Sequence, residues 1–449
     1  MSIYDILYVS KNIFSRKDFK MRNKRSNRSK VKNSNNNASI KILVAILLIL
    51  VVLLFIESKT SDRTNTPNSS NPESISQQSQ NNDSDEKSGN NSEEKDSPKE
   101  DVTFTMAMTG DIMCHNTMYQ DAYNSSDKSY DFSYMFENIK QHIQMADIAV
   151  GNLETTFAGS KVGYSGYPTF NTPEILAKNL KQIGFDVVST ANNHCMDKGY
   201  SGLVSTIEEL DAADLAHTGT FKSKEDQEDI LIKYTKGVSI AFLSYTYGTN
   251  GITVPKEKSY AVNLIDKDLI KKHLDLAKEK NPDMICVCMH WGVEYQTTPN
   301  STQKDLADFL FKNGADVIIG NHPHVPQPME KRTVKLEDGT KKDGFIIYSL
   351  GNFMANQNYK YTQDSAILKL SITKHAEDGK ISIDSATYTP TYMYKNTSKK
   401  LKKFKILDIE TEIKKYKAKT DDAVGTSLYN TLSTELKNIE KIIGAEITQ

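Results

Sequence analysis

Between Thr103 and Thr387 the chain switches repeatedly between short apolar runs and amphipathic stretches, and this alternation limits the fold more than any other feature. Thr103–Met108, Asp147–Val150, Phe185–Thr190, Val238–Tyr245, Asp283–Met289, Val317–Gly320 and Phe345–Leu350 are of a length that suits buried strands. Helices are predicted between them, over Tyr134–Met145, Pro173–Ile183, Ser201–Leu210, Leu269–Lys278 and Gln303–Lys312. Pro173 opens one and Gly184 closes it, while Asn313-Gly314 closes another. Ala366–Thr373 and Ile381–Thr387 alternate like an antiparallel hairpin. The expectation is an α/β layered domain over residues 102–395. Beyond Tyr394 the composition turns Lys-rich, and Leu407–Lys417 and Thr426–Ile443 read as helices of a helical extension, residues 396–449.

The segment before this domain is of another kind. Residues 1–39 form a basic leader, and Ile42–Ile56 is unbroken apolar sequence between Lys41 and Glu57. A bilayer core needs about 20 helical residues, and residues 38–41 extend the run toward that length. A cleaved signal peptide, a buried core helix and a membrane anchor compete for it. No Ala-x-Ala-like site follows Ile56, and a core helix would be amphipathic, so a single-pass anchor over residues 40–56 is the expectation. The leader then stays cytoplasmic and the main domain lies outside the cell. Residues 57–101 are almost all polar, with Ile75 the only large apolar residue, and read as a disordered stalk of the kind that would lift a domain through a Gram-positive wall.

Net charge is −1, which gives no general pull toward nucleic acid. Four cysteines do not make a disulfide framework. Cys286 and Cys288 share one face of a predicted strand and are expected to pack in the core.

Polar clusters recur just past the predicted strands, where α/β sheets build their sites. They are Thr109-Gly110-Asp111 with His115, Gly151-Asn152-Leu153-Glu154, Asn192-Asn193-His194 with Asp197, His290-Trp291-Gly292, Gly320-Asn321-His322-Pro323-His324, and Ser349-Leu350-Gly351-Asn352-Phe353. Five of the nine histidines lie here; His142, His217, His273 and His375 read as incidental. Pro323 biases His322 toward extended backbone, from which His322 and His324 would reach one side together. Carboxylate, amide and imidazole donors in this number suit one or two divalent cations such as Mn2+, Fe2+ or Zn2+. Asp111, Glu154, Asn193, His290, His322 and His324 are the candidate ligands, with His115 as an addition. His194 is a candidate proton donor oriented by Asp197. Asn152, Asn171 and Asn352 are candidate substrate contacts, with a plain turn an equal reading for Asn152 and Asn352.

The ordered motifs Gly-Asp, Gly-Asn-Leu-Glu, Asn-Asn-His, His-Trp-Gly, Gly-Asn-His-Pro-His and Ser-Leu-Gly-Asn-Phe, with Gly166-Tyr-Pro-Thr-Phe-Asn-Thr-Pro173, closely resemble the CapA family of bacterial capsule and poly-gamma-glutamate synthesis. That family is similar to calcineurin-like metallophosphoesterases, so the resemblance implies a sandwich of two β-sheets flanked by helices and a two-metal centre. By motif, Asp111 corresponds to the first aspartate, Glu154 stands in the place of the bridging aspartate, Asn193 and His194 match the Asn-His pair, and His290, His322 and His324 match the remaining histidines. The usual Asp-x-His is here Asp111-x-x-x-His115, and Gly-His-x-His reads Gly-Asn-His-x-His.

Three functions follow as expectations. One is an envelope-anchored protein acting in production, export or attachment of an anionic polymer, with the bacterial membrane and membrane subunits of a synthesis complex as partners. A second is a metal-dependent phosphoesterase acting on an envelope phosphate ester. The third is a non-catalytic polymer-binding scaffold. No Gly-x-x-x-x-Gly-Lys-Ser/Thr occurs, which tells against the chain energising amide ligation alone.

Overall fold

Alternation along each central strand divides side chains between two cores, and this builds the layers of the computed structural model. The structure describes residues 100–396, 402–420 and 425–448. The leader, the apolar run at 40–56 and all of the 57–101 stalk except its last two residues lie outside the described residues. Among the described residues no helix is long and apolar enough to cross a membrane.

In chain order the strands are β1 (Val102–Ile112), a small hairpin of β2 (Tyr123–Asn124) and β3 (Ser129–Tyr130), β4 (Ile148–Leu153), β5 (Val187–Ser189), β6 (Ala216–Thr218), β7 (Leu231–Thr235) and β8 (Val238–Thr246). Then come β9 (Met284–His290), β10 (Val317–Asn321), β11 (Met329–Lys335), β12 (Lys341–Ile347), β13 (Asn352–Met354), β14 (Asp364–Lys374), β15 (Ile381–Lys395) and β16 (Phe404–Asp408). One sheet runs β16-β15-β14-β1-β4-β5-β6 with β13 beside β1, and the other runs β11-β12-β10-β9-β8-β7. Both are mixed. β1, β4, β5 and β6 run parallel, as do β8, β9, β10 and β12, while the outer hairpins are antiparallel.

Phe104, Met106 and Met108 of β1 meet Val238, Ile240 and Phe242 of β8 and Met284, Cys286 and Cys288 of β9 in the core between the sheets. The two cysteines therefore pack where their spacing places them. Ala107 and Ile112 point the other way, against Leu176, Leu180 and Ile183 of the Ile175–Ile183 helix. Ile285, Val287 and Met289 cover the outer face of the second sheet with Ile270, Leu274, Leu306 and Leu310 from the Lys267–Glu279 and Ser301–Lys312 helices. The result is a mixed α/β fold with two facing sheets and helices outside them. Truncating a side chain as deeply set as Phe104 costs about 3–5 kcal/mol.

Two local expectations are corrected. Tyr134–Met145 is a 3-10 turn, Ser133–Phe136, followed by a short helix, Lys140–Gln144. Leu407 and Asp408 end β16, an edge strand paired with β15, so the C-terminal extension is not helical throughout. Its helices, Ile409–Ala418 and Thr426–Ile443, bury Ile409, Ile413, Leu432, Ile439 and Ile443 in the same core as β14 and β15.

Candidate metal centre

Sheet register lines up the polar strand ends. Asn352, Asp111, Asn152 and Ser189 are direct neighbours across β13, β1, β4 and β5. Thr246, His290 and Asn321 form the matching row across β8, β9 and β10. Gly110 permits the floor to close, since a Cβ there would stand 1.9 Å from the Gly351 carbonyl oxygen. The next residue, Asp111, donates its N–H to that oxygen at 2.9 Å.

The two rows meet in a buried nest. Asp111, Glu154 and His290 each offer a ligand atom, all within 4.8 Å of one another. His290 Nε2 lies 3.5 Å from Glu154 Oε1 and 2.6 Å from Asn193 Oδ1. His324 Nδ1 is 3.1 Å from Asp111 Oδ2, and its Nε2 is 3.9 Å from Glu154 Oε1. The His322 ring centre is 4.9 Å from that of His290. The structure thus brings Asp111, Glu154, Asn193, His290, His322 and His324 together. His115 is not with them. Its Nδ1 accepts the Asn356 N–H at 3.2 Å, its ring meets Phe170 edge-on, and it stands in neither group of convergent ligand atoms.

His322 and His324 do not lie on extended backbone. Their φ angles are +96° and +59°, in the left-handed region that costs a non-glycine residue on the order of 1–3 kcal/mol. The proline preference is overridden by tertiary hydrogen bonds. His322 N–H donates to Asp111 Oδ2 at 3.3 Å, and Tyr295 N–H donates to the Pro323 carbonyl at 2.8 Å.

Of the three asparagines expected at substrate, Asn152 and Asn352 brace the nest and Asn171 ties a loop outside it. Asn152 donates to Asp111 Oδ1 at 2.8 Å, faces His290 Nδ1 at 3.3 Å, and accepts from Ser189 Oγ at 2.8 Å. Asn352 Oδ1 accepts from His324 Nδ1 at 3.1 Å, and its Nδ2 donates to Gln357 and to the Thr362 carbonyl. Asn171 accepts from Ala158 N–H at 2.7 Å and donates to the carbonyls of Gly159 and Gly163. All three are buried with their amides hydrogen-bonded to protein partners.

His194 and Asp197 form a second buried pair, Nδ1 to Oδ2 at 2.7 Å. Asp197 Oδ2 also accepts the Phe170 N–H at 2.6 Å, and the Phe170 ring stands edge-on to His194. A carboxylate on Nδ1 fixes the tautomer and leaves Nε2 to exchange a proton. His194 lines a cleft of about 350 Å³ with His115, Phe170, Tyr295, His324 and Tyr359. A larger cavity of about 490 Å³ lies at the β6 edge, lined by His217, Lys222 and Asp211 and by none of the strand-end ligands. The other histidines pair elsewhere: His142 with Asp408, His217 with Asp211, His273 with Tyr245 and His375 with Asp101.

Burial and neighbouring charges act on these groups in opposite directions. Burial pushes His322 well below its ordinary value, with His290 and His324 adding to the effect. Burial takes His115 down to about 4. Burial also acts on His324, but the Glu154 and Asp111 carboxylates outweigh it and raise this imidazole to about 9. Burial opposes ionisation of Asp111, yet His324, His290 and Asn152 hold its carboxyl below the usual range.

The residues fit a cation. Glu154 is 0% exposed, and neither of its oxygens has a hydrogen-bond partner among the described residues; His322 Nδ1 and Asn321 Oδ1 are equally orphaned. His290 and His324 stand near Glu154 without hydrogen-bonding it, and a buried carboxylate short of hydrogen bonds carries a desolvation cost that a cation among imidazoles and carboxylates offsets. Hard oxygen with imidazole nitrogen suits a divalent ion of the Mn2+, Fe2+ or Zn2+ kind.

Sequence reasoning missed the residues around the mouth. Tyr247 lies 4.5 Å from His322 ring to ring, Asn250 accepts from Asn193 Nδ2 at 3.1 Å, and Glu294 offers a ligand atom beside His322 and His324. Glu294 had a signal, its place just past His290-Trp291-Gly292, and so had Tyr247 and Asn250, which lie just past the predicted strand Val238–Tyr245.

A family model described as bacterial capsule synthesis protein PGA_cap matches residues 105–357, which hold every residue of the nest. The chain is 31% identical over 279 residues to the capsule biosynthesis protein CapA of Bacillus anthracis, covering 60% of this chain and 64% of that protein. It is 32% identical over 263 residues to the PGA biosynthesis protein CapA of Bacillus subtilis (strain 168), covering 57% and 67%. Among solved structures it is similar to a Haemophilus influenzae NAD nucleotidase, with TM-score 0.41 and 12% identity over 76% of this chain and 61% of that one.

Proposed function

The chain belongs to the bacterial capsule synthesis family PGA_cap, and from that premise we propose that it acts in making, exporting or attaching an anionic envelope polymer, poly-gamma-glutamate by preference, through a divalent-metal centre. The observation that carries this reading is the coincidence of the family match with the nest, since residues 105–357 span Asp111, Glu154, Asn193, His290, His322 and His324. In the same reading the apolar run at 40–56 anchors the chain, the leader stays inside, and the domain works outside the membrane beside partner membrane subunits.

Asp111, Glu154 and His290 would hold the cation, with Asn193, His322 and His324 around it. A bound cation supplies positive charge to polarise a carboxylate or phosphoryl oxygen. Asn152 and Asn352 keep Asp111 and His324 in place. His194, held by Asp197, presents Nε2 to the cleft and can take or give a proton there.

A strain lacking the gene and complemented with wild type should regain surface polymer, and one complemented with His290→Ala should not. Full restoration by His290→Ala would overturn the metal-dependent role. The His194–Asp197 pair favours a second reading, hydrolysis of an envelope phosphate ester of calcineurin-like type. That reading expects Mn2+-dependent turnover of a generic phosphodiester, reduced by about 10²–10⁴-fold in His194→Ala. Metal-loaded protein with no turnover would sink it for that substrate class.

A further inference from the structure

At the end of β1 away from the nest, a circuit of hydrogen bonds joins the start of that strand to the β14–β15 hairpin. Asp101, the residue before β1, accepts the Ala376 N–H on Oδ1 at 2.8 Å and faces His375 Nδ1 with Oδ2 at 3.0 Å. His375 follows β14, and its backbone is held in the turn. Its N–H donates to the Lys380 carbonyl and its carbonyl accepts the Gly379 N–H, both at 2.9 Å. His375 Nε2 is 2.9 Å from Ser382 Oγ, and Ser382 Oγ donates to Asp384 Oδ1 at 2.8 Å. Thr373 Oγ1 donates to Asp384 Oδ2 at 2.6 Å, and Thr103 Oγ1 stands 2.7 Å from Thr373 Oγ1. The circuit therefore leaves the chain just before β1 and closes on it at Thr103.

Counting hydrogens fixes the charge of this circuit. A carboxylate only accepts, so the hydrogen between Nδ1 and Asp101 belongs to His375. The Ser382 hydroxyl has one hydrogen, and Asp384 takes it. Nε2 must then donate to Ser382 Oγ, which makes the His375 side chain an imidazolium. A neutral imidazole would cost the circuit one of these contacts. We propose that Asp101, His375, Ser382 and Asp384 form a proton-dependent clasp on the entry of the chain into β1, closed while His375 carries both ring hydrogens and open once it loses one. The other charged groups around the turn are Glu377, Asp378 with its partner Lys380, and Lys374, which pairs with Asp283. The closed clasp holds a proton that the open clasp gives up. Its stability is therefore present on the acid side and lost as pH rises through the ordinary histidine range, about 6–7. In acid it lasts until Asp101 takes a proton, and the Ala376 N–H, with His375 adding, holds that carboxyl below its usual range. Asp111 lies ten residues beyond Asp101, about 30 Å along the strand. The clasp thus secures the chain where it enters the domain, at the pole away from the nest, and it stands independently of the metal-centre reading.

Hydrogen–deuterium exchange of the full-length chain tests the clasp. Protection factors are read over residues 102–106 and 374–384 at about pH 5.5 and about pH 8.5, either side of the histidine range, with the Ser301–Lys312 helix as reference. Wild type should be about 2–5-fold better protected at the acid pH, the size expected of a partly exposed ion pair. His375→Gln cannot take a second proton and should lose the difference. Asp384→Asn separates the proton from the contacts. Its amide can donate to Ser382 Oγ and free the hydroxyl hydrogen for a neutral Nε2, so the clasp should stay closed at both pH values. Equal wild-type protection at the two pH values would overturn the clasp, and so would a pH difference that survives unchanged in His375→Gln or in Asp384→Asn.

Discussion

Asp111 and Glu154 are both fully buried carboxylates in one nest, and their surroundings differ in kind. Asp111 belongs to a floor in which the oxygens are answered: Asn152 bonds Oδ1, and the His322 N–H and His324 bond Oδ2. That floor is laid by sheet register, so the strands themselves hold it. Glu154 belongs to the open face, with His322 Nδ1 and Asn321 Oδ1, where buried acceptors go unanswered. A satisfied floor resists rearrangement, and an unsatisfied face is stored affinity for a cation. The pairing is what a prebuilt binding site needs, rigidity below and unmet charge above.

Breaking the floor should have the largest effect. Gly110→Ala forces a Cβ against the Gly351 carbonyl at 1.9 Å and should cost more than about 4 kcal/mol, seen as loss of folded protein in urea unfolding. Asn152→Leu strips partners from Asp111 and Ser189 while keeping the volume. It should cost about 1–3 kcal/mol in thermal unfolding and weaken metal binding about 10–100-fold by calorimetry. Asn171→Ala lies outside the nest and loses three loop hydrogen bonds, so it should cost about 1–2 kcal/mol with unchanged metal affinity. Equal loss of affinity in Asn152→Leu and Asn171→Ala would erase the distinction between floor and loop.

A third buried carboxyl sharpens the contrast. Burial, with Glu435 adding, raises Asp364 of β14 to about 9. Folding therefore favours its protonated form, and stability from this group is present below the ordinary carboxyl range and lost as pH rises toward 9. Asp364→Asn should melt above wild type by about 2–4 °C at pH 8, with the gain shrinking toward pH 4. A gain that grows on acidification would reverse the assignment. Asp111, held low by its histidines, shows that partners rather than depth decide the sign.

Much of this architecture was legible because buried strands in layered sheets must be apolar and short. β9 and β10 read directly from their runs, and their polar ends marked the ligands. β11 did not, because Met329–Lys335 faces solvent along most of its length and carries charged residues. The last two residues of β16 read as the start of a helix because Ile409, Ile413 and Tyr416 just beyond them fall at helical spacing, while pairing with β15 makes Phe404–Asp408 a strand. The left-handed turns at His322 and His324 were hidden for a related reason. Local preference around Pro323 points to extended chain, while the bonds that override it come from Asp111 and Tyr295, far off in sequence. Asn152 and Asn352 stand at the nest and Asn171 outside it, and what each amide touches depends on neighbours that spacing does not reveal.

The central claim is that Glu154 is buried for a cation and is a burden without one. Glu154→Met replaces the carboxylate with apolar volume and tests this in two directions at once. The metal-free variant should melt above metal-free wild type, and Mn2+, which raises the melting temperature of wild type, should leave the variant unmoved. A metal-free variant that melts below wild type, or one that Mn2+ still stabilises as much, would contradict the account.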